Sequence, residues 1–287
     1  MANVYQIITD RIIESLENNH IPWRSGWANS MMPSNAVTGK AYSGINVMLL
    51  RQAQGEFGSC WFVTSKQAQQ LGGHVKQSEY NHGSIVSYWK VYTKTVDGGP
   101  DEPKFENRFV LRYYTVYNIK QCDGIKLPKH CGEIESAVME SLPEAEMVFD
   151  RWFERTNIRL ELGRPSYSPT WDKIMMPPKD SFESAHQYYA VGFHEMVHST
   201  GHASRMNRFV EKTYFGSETY SKEELIAEIG SSFLCGTTGI DGVFDNQVSY
   251  IKGWLIALRN DPRMIVSAAS KAQKAVDMIM HQDVKGV

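Results

Sequence analysis

The motif that most constrains this chain lies in its C-terminal half, where His194, Glu195 and His198 stand in a stretch with helical periodicity. One helical turn separates the two histidines, so both imidazoles project from one face of a helix. Two such nitrogens hold Zn²⁺ at about 2.0–2.1 Å, and a glutamate beside the ion can take a proton from the attacking water. The spacing therefore predicts a helix that carries two metal ligands and a general base.

A catalytic zinc site needs a third protein ligand and one open position. One known pattern takes a histidine six residues after the second ligand, and Ser204 stands there, so that class of site is excluded. A later predicted helix offers Glu224 and Glu228 on one face, one to bind the metal and the other to orient a ligand histidine. Ser221 and Glu224 also fit a capping box, in which case Glu228 is the ligand. The residues favour Glu224 and leave both acids open.

Other candidates flank these helices. Tyr220 and Tyr214 lie near the third-ligand helix and are candidate donors to a developing oxyanion, with ordinary packing as the competing interpretation for each. Residues 167–176 are predicted to be extended, and Asp180 is predicted to cap the metal-binding helix. The extended segment either binds a peptide backbone by edge pairing or belongs to the core.

Composition and charge exclude several classes of protein. Of 287 residues, 42% are hydrophobic and 22% charged, which is enough apolar material for a packed core. The formal charge of −2 gives no whole-chain argument for nucleic acid, although 13 Lys and Arg stand against 10 Asp and Glu up to Pro128, and 17 against 22 after it. Four cysteines without a C-x-x-C pair are typical of free thiols in a reducing compartment. No signal peptide and no apolar run of 18 residues are visible, which indicates a bacterial cytoplasmic protein without a membrane span.

Periodicity predicts two domains of different character. The N-terminal half has predicted helices at 3–18, 44–54 and 65–71, and strands at 60–64, 84–95 and 109–119, the last two joined by a hairpin loop. The C-terminal half opens with a helix at Pro143, has a strand at 157–162 and is mostly helical from Asp180 onward. We therefore predict an α/β (α+β) fold with a mixed α/β domain over residues 1–128, a linker over 129–142 and a mostly helical domain over 143–287.

The metal motif and its neighbours resemble a known family. The segments His194-Glu-Met-Val-His-Ser-Thr-Gly-His202, with Arg205, and Tyr220-Ser-Lys-Glu-Glu-Leu-Ile-Ala-Glu228 are similar to the zincin-like metallopeptidase domain of ArdC-type antirestriction proteins. The two acids are similar to the Glu-x-x-x-Asp element of gluzincin peptidases, in which the first acid binds zinc and the second supports a histidine. The resemblance implies Zn²⁺ as cofactor, Glu224 as third ligand, and Glu228, in place of the usual aspartate, as the supporting acid.

The N-terminal half resembles the partner domain of the same family. The matching residues are Ile21-Pro-Trp-Arg24 with Trp27, then Asn35-x-x-Thr-Gly-Lys40-x-Tyr42-x-Gly-Ile-Asn46, then Trp61, Lys66-Gln-Ala68 and Gly72-Gly73. In that family this domain binds single-stranded DNA and recurs at the front of plasmid-encoded primases. The resemblance covers nearly the whole chain and implies protection of incoming plasmid DNA from restriction during conjugation.

The N-terminal half also has the residue types that a binder of single strands needs, which are cations for phosphates and flat rings for bases. Strand alternation places Tyr88, Lys90 and Tyr92 on one face. Each ring has a competing interpretation as part of a sheet core. The candidate DNA-binding residues are Trp23, Arg24, Trp27, Lys40, Tyr42, Trp61, Lys66, Tyr88 and Lys90.

Together these features predict an antirestriction protein that binds single-stranded DNA non-specifically and has a zinc-dependent peptidase site. His194, His198 and Glu224 are the predicted metal ligands, and Glu195 and Tyr220 the catalytic residues. The expected partners are single-stranded DNA and a protein or peptide substrate that the sequence does not identify. Two alternatives stay open: a DNA-coating protein whose metal site is structural or dispensable, and a peptidase whose N-terminal half only recognises substrate.

Overall fold

The structure, a computed structural model, describes residues 3–18, 20–23, 32–96, 104–131, 142–209, 218–240 and 248–280. It has the predicted mixed α/β architecture, with a sheet in the N-terminal domain and mostly helices in the C-terminal domain. Helix α1 spans Val4–Glu17, and the Asn3 side chain caps it by accepting from the Tyr5 amide. Its buried face, which includes Ile8, Ile12 and Leu16, has the spacing that the sequence predicted.

The N-terminal domain is built on a four-stranded sheet in the order β1-β2-β5-β4. The strands are β1 (Ser34–Asn35), β2 (Trp61–Val63), β4 (Ser84–Val96) and β5 (Lys104–Asn118). A small pair, β3 (His74–Val75) and β6 (Cys122–Asp123), lies apart from it. Helices α2 (Ile45–Phe57) and α3 (Ser65–Gln70) connect the strands, and α3 begins with a capping box between Thr64 and Gln67.

Strands β4 and β5 form a long two-stranded ribbon whose outer part is exposed on both faces. The register pairs Tyr88 with Arg112 and Trp89 with Leu111, so odd and even positions face opposite sides. We call the even side the basic face, formed by Tyr88, Lys90, Tyr92, Arg108, Arg112 and Tyr114. The odd side is the uncharged face, since its described positions from 85 to 93 and 107 to 115 hold no charged residue; among them are Trp89, Val91, Phe109 and Tyr113.

The C-terminal domain combines a small sheet with a helical bundle. Its elements are α4 (Leu142–Thr156), β7 (Arg159–Leu162), β8 (Ser166–Ser168), β9 (Lys173–Met176), α5 (Ala185–Ser199), α6 (Glu218–Thr238), α7 (Val248–Asn260) and α8 (Met264–Met280). The sheet order is β7-β9-β8, with β7 parallel and β8 antiparallel to β9. Strand β8 is therefore an edge strand.

One hydrophobic cluster extends through both domains. Trp23, which follows α1, packs edge-on against Trp254 of α7 with ring centroids 5.4 Å apart. The Ser232 hydroxyl in α6 donates to the Trp23 carbonyl oxygen, and the Gly44 amide donates to the Gln273 side chain of α8 at 3.0 Å. The N-terminal domain is thus packed directly against the helices of the C-terminal domain.

Three local predictions were wrong. Residues 167–176 form two antiparallel strands rather than one, because a turn ending at Asp172, whose φ is +45°, separates β8 from β9. Ser184 rather than Asp180 caps α5, accepting from the Gln187 amide at 3.2 Å. Ser221 lies inside α6, which has already begun at Glu218, so Glu224 does not serve as the third residue of a capping box.

Two further expectations concern cysteines and membranes. All four cysteines are buried and free, as predicted. Within the described residues, no helix combines the length and apolar character that crossing a bilayer requires.

Candidate metal centre and nucleic-acid interface

Helix α5 presents His194 and His198 side by side. Their Nε2 atoms lie 3.1 Å apart, and their rings meet at 80° with centroids separated by 4.7 Å. The end of the helix is held from two sides: Trp152 Nε1 donates to Ser199 Oγ at 3.0 Å, and Arg205 Nε donates to the Ser199 carbonyl oxygen at 2.7 Å. The helical turn that sets the imidazole geometry is therefore packed and hydrogen-bonded rather than frayed.

Helix α6 brings the third acid to this pair. Glu224 Oε2 lies 3.5 Å from His194 Nε2, and Glu224 Oε1 lies 3.5 Å from His198 Nε2. The close approach of α6 to α5 depends on Gly230, where a Cβ atom would stand 2.8 and 2.9 Å from the methyl carbons of Val197. A contact between two helices thus completes the cluster.

The donor set fits a divalent cation. One ligand atom each from His194, His198 and Glu224 lies within 4.8 Å of the other two, which makes this the one such cluster of three or more potential ligands among the described residues. Two imidazole nitrogens and one carboxylate oxygen are the donor set of many catalytic zinc sites, which keep a further position open. Of the two candidate acids, Glu224 lies in this cluster and Glu228 does not.

Two more acids surround the ligands. Glu195 is 7% exposed and follows His194 on α5, and Glu228, also 7% exposed, lies one helical turn after Glu224. Burial lowers the pKa of His194, and the bond to Glu224 outweighs it, with smaller contributions in the same direction from the charges of Glu195 and Glu228. Tyr220 is half-buried and lies four residues before Glu224, on the same side of α6. Tyr214 falls outside the described residues.

The cluster is strongly coupled electrostatically. Burial by itself would lower the pKa of both imidazoles, but the neighbouring carboxylates outweigh it and raise the pKa of His198 to about 10 and that of His194 in the same direction. Burial would likewise raise the pKa of Glu223 and Glu224, and their bonds to the imidazoles, with that of Arg208 to Glu223, hold both below the usual range. Metal ligands bind in their deprotonated forms, so binding of a divalent ion by this donor set is linked to proton release.

Sequence reasoning missed Glu223 and Arg208. Glu223 Oε1 lies 3.4 Å from His198 Nδ1, on the side of the ring opposite to Glu224. Arg208 donates two hydrogen bonds to the same carboxylate, from Nη2 to Oε1 at 2.7 Å and from Nε to Oε2 at 3.0 Å. Glu223 could have been suspected from the sequence because it is adjacent to the candidate ligand Glu224. No sequence pattern indicated a role for Arg208.

Comparison with solved structures identifies the family. Two crystal structures of the antirestriction protein ArdC of plasmid R388, one metal-free and one with Mn(II), superpose with TM-scores of 0.76 and 0.74. Each is 36% identical, and the match covers 97% of both chains. The chain belongs to the ArdC antirestriction family. The Mn(II)-bound relative and the zincin-like match below both support a divalent-metal site in the family fold.

Sequence comparisons give the same assignment to the ArdC family. Residues 2–117 match the N-terminal domain of anti-restriction factor ArdC, and residues 144–271 match a zincin-like metallopeptidase family. An uncharacterised protein of Sinorhizobium fredii is 31% identical over 98% of this chain and 92% of its own length. Two Escherichia coli DNA primases named TraC are 35% and 32% identical over 96% and 99% of this chain, which spans only 27% and 20% of their length.

The structure places two of the predicted DNA-binding rings of the ArdC N-terminal domain in the core. Trp23 is 2% and Trp61 is 7% exposed, and Trp61 packs against His130 with centroids 5.6 Å apart. Neither ring has an exposed face on which a base could stack, which corrects the prediction that Trp23 and Trp61 bind DNA. Tyr42 is half-buried against Phe62, and its hydroxyl oxygen is shielded from solvent, which raises its pKa to about 12.

The other predicted DNA-binding residues are distributed over the surface. Lys40 and Lys66 are exposed near the Asn35 turn, where Asn35 and Gln67 bond each other at 3.1 Å. Tyr88 and Lys90 are exposed on the basic face of the ribbon. Arg24 and Trp27 lie outside the described residues. The structure thus separates the exposed candidates into two places and does not gather all of them at one site.

Additional residues complete the basic face. Lys90 Nζ lies 5.0 Å from the centre of the Tyr92 ring, Arg112 donates to the Tyr92 hydroxyl at 3.2 Å, and Tyr88 meets Tyr114 at 5.7 Å between centroids. Arg108 is also exposed there and was not singled out from the sequence. Glu106, an acid on the same face toward its outer end, lies 3.7 Å from Arg108.

Proposed function

We propose that this chain is a zinc-dependent peptidase joined to a single-strand-binding domain, and that the two act together to protect incoming plasmid DNA from restriction. The observation that carries the proposal is the convergence of His194, His198 and Glu224 with Glu195 beside them. A site that only stabilises a fold has no need of a general base. The relative from plasmid R388 has a metal-free structure as similar to this chain as its metal-bound one, which also speaks against a purely structural ion.

The chemistry follows from the donor set. His194, His198 and Glu224 would hold the ion, which would polarise a carbonyl and favour ionisation of water near neutral pH. Glu195 takes a proton from the attacking water and passes it to the leaving amine. Tyr220, one turn from Glu224, donates a hydrogen bond to the carbonyl oxygen as negative charge develops there. Burial of Glu195 keeps this proton transfer away from bulk solvent.

The substrate is proposed to be an extended peptide lying along β8. Among the described residues this strand pairs only with β9, so its other edge is the proposed site of main-chain pairing with the peptide. Arg205 links β8 to α5, since Nη2 donates to the Tyr167 hydroxyl at 3.2 Å while Nε donates to the Ser199 carbonyl oxygen. The edge strand and the metal-binding helix are therefore held in a fixed relation.

The decisive experiment for the peptidase compares the parent chain with Glu195→Gln, which leaves the three ligands intact. Proteins cleaved in cells that express each form are identified by mapping new N-termini. Cuts present only with the parent support the proposal, and identical patterns contradict it. An antirestriction assay with the same pair then decides whether protection needs hydrolysis. Equal protection would favour the alternative, a DNA-coating protein whose metal site is dispensable for that role.

The basic face of the ribbon is the proposed surface for single-stranded DNA. Three tyrosines and three cations are neighbours on one side of the ribbon. The rings can stack on bases and the cations can contact phosphates, which is the combination that binding of single strands requires. Titration of a fluorescent oligonucleotide at several salt concentrations tests this. We expect the affinity for the oligonucleotide to fall steeply as the salt concentration rises. Affinity that does not change with salt, or no binding, would contradict the proposed surface.

A further inference from the structure

Two neighbouring glutamates of α6 contact opposite nitrogen atoms of one imidazole. Glu224 faces His198 Nε2 at 3.5 Å, on the side where His194 lies, and Glu223 faces His198 Nδ1 at 3.4 Å. The two acids therefore have different tasks, although they are adjacent in sequence. The first is placed to share a cation with the imidazole. The second is placed to accept a hydrogen bond from Nδ1–H, on the side of the ring turned away from that cation.

Arg208 fixes the orientation of Glu223. Its guanidinium makes a two-bond pair with the carboxylate and also donates to Val197 O at 2.8 Å and Thr200 Oγ1 at 2.7 Å. Both side chains are almost fully enclosed, with 6% of Arg208 and 12% of Glu223 exposed. Two-bond arginine–carboxylate pairs are strong and directional, so Glu223 Oε1 is held toward His198 while the end of α5 is held by the same arginine.

We propose that Glu223, oriented by Arg208, is the positioning residue for His198: it keeps the ring proton on Nδ1 so that Nε2 presents its lone pair to the cation. Ligand histidines generally donate their second nitrogen to a carboxylate or carbonyl, which fixes ring orientation and strengthens the ligand. The inference rests on the proposed metal site and deepens it, because it gives His198 a supporting acid, Glu223, that the sequence did not single out.

The test is zinc affinity, measured by competition with a chelator of known affinity. Glu223→Gln places an amide NH₂ among the donors of Arg208 and His198, and we expect it to weaken zinc binding by roughly 10- to 100-fold. The matched control is Glu183→Gln, the same substitution at an exposed acid just before α5, which should leave affinity unchanged. Parental affinity in Glu223→Gln overturns the proposal. So does an equal loss in both variants, since that would reflect only long-range charge.

A second measurement needs no variant and so holds even if Glu223→Gln fails to fold. Nitrogen-15 NMR of the zinc-loaded parent chain should show the His198 proton on Nδ1, protected from exchange, and the metal on Nε2. A proton on Nε2 overturns the proposal. The two proposals can be contradicted separately. A parent chain that binds no zinc would contradict the proposed function, whereas equal zinc affinity of the parent and Glu223→Gln would contradict only the positioning role of Glu223.

Discussion

The side chain of Asn46 bonds both backbone groups of Ser87: Nδ2 donates to the Ser87 carbonyl oxygen at 2.8 Å, and Oδ1 accepts from the Ser87 amide at 2.7 Å. Asn46 belongs to α2 and Ser87 to β4. The Asn46 carboxamide makes the two hydrogen bonds that a neighbouring strand would make, and it holds the base of the ribbon against the helix. Because Gly44 at the start of α2 bonds Gln273 of α8, this anchor is continuous with the packing of the C-terminal helices.

Replacing Asn46 should therefore loosen the ribbon. Asn46→Ala leaves both backbone groups of the buried Ser87 without their partner, and we expect a loss of about 1–3 kcal/mol in the free energy of unfolding. Urea titration followed by tryptophan fluorescence measures it. Asn46→Asp keeps the acceptor for the Ser87 amide and should lose less; an alanine variant as stable as the parent would contradict the anchoring role.

The contact between α5 and α6 gives a second prediction. Gly230→Ala forces a methyl group to within 2.8 Å of Val197, and we expect the overpacking to outweigh the better helix propensity of alanine, for a net loss of roughly 1–2 kcal/mol. Separation of the helices should also weaken zinc binding, since Glu224 comes from α6 and the histidines from α5.

Gly253→Ala is the control for that substitution. A Cβ atom at Gly253 in α7 meets nothing within 4 Å, so the same change should stabilise the chain by about 0.5–1 kcal/mol. Thermal unfolding of both variants with and without zinc separates the two effects. If both glycines respond with the same sign, the close approach of the helices is not what Gly230 provides.

These contacts explain which parts of the metal site the sequence could predict. His194 and His198 were predictable because their relation is local and set by one helical turn. The choice between Glu224 and Glu228 was not, because it depends on how α6 packs against α5 through Gly230 and Val197. Arg208 could not be predicted for the same reason: it lies after the end of α5, and its partner Glu223 is 15 residues away in α6.

The N-terminal domain shows the corresponding limit for aromatic residues. A tryptophan beside a cation has the same sequence pattern whether it stacks on a base or fills a core. Trp23 is buried because Trp254, from the far end of the chain, covers it. Tyr88 is exposed because the ribbon extends past the packed base of the sheet. Alternation along β4 was predictable, since the strand period alone sets it.

A third prediction concerns pH and the Asp172–Arg205 pair. Burial alone would raise the pKa of Asp172, but hydrogen bonds from Arg205 and Tyr167 outweigh it and hold the pKa below its usual value. A carboxyl group whose pKa is depressed by folding stabilises the chain above its unfolded pKa of about 3.9 and loses that contribution as pH falls through the folded pKa. The stability difference between the parent and Asp172→Asn should be constant above about pH 5 and shrink below about pH 4.

Denaturant titrations from pH 3 to 7 check this difference directly. Asp123→Asn is the matched control, because the Asp123 side chain is 61% exposed and lies 3.9 Å from Lys76. It should differ little from the parent at every pH. A difference for Asp172→Asn that stays the same down to pH 3 would mean that its carboxylate contributes no pH-dependent stability.

The two faces of the ribbon give the last prediction. Arg112→Gln removes one cation from the basic face, and we expect the slope of log affinity for single-stranded DNA against log salt to become shallower by about 0.7. Tyr88→Ala removes a stacking ring and should weaken binding by about 1–3 kcal/mol with little change in slope. The two variants therefore separate phosphate contacts from base stacking.

The uncharged face supplies the control on the same hairpin. Phe109 is 64% exposed and lies across the ribbon from the basic face, so Phe109→Ala should leave both affinity and slope unchanged. This comparison holds strand pairing and distance from the core nearly constant and varies only the side of the ribbon. An equal loss in Phe109→Ala and Tyr88→Ala would show that DNA does not distinguish the faces, and the proposed surface would then be wrong even if the chain binds DNA.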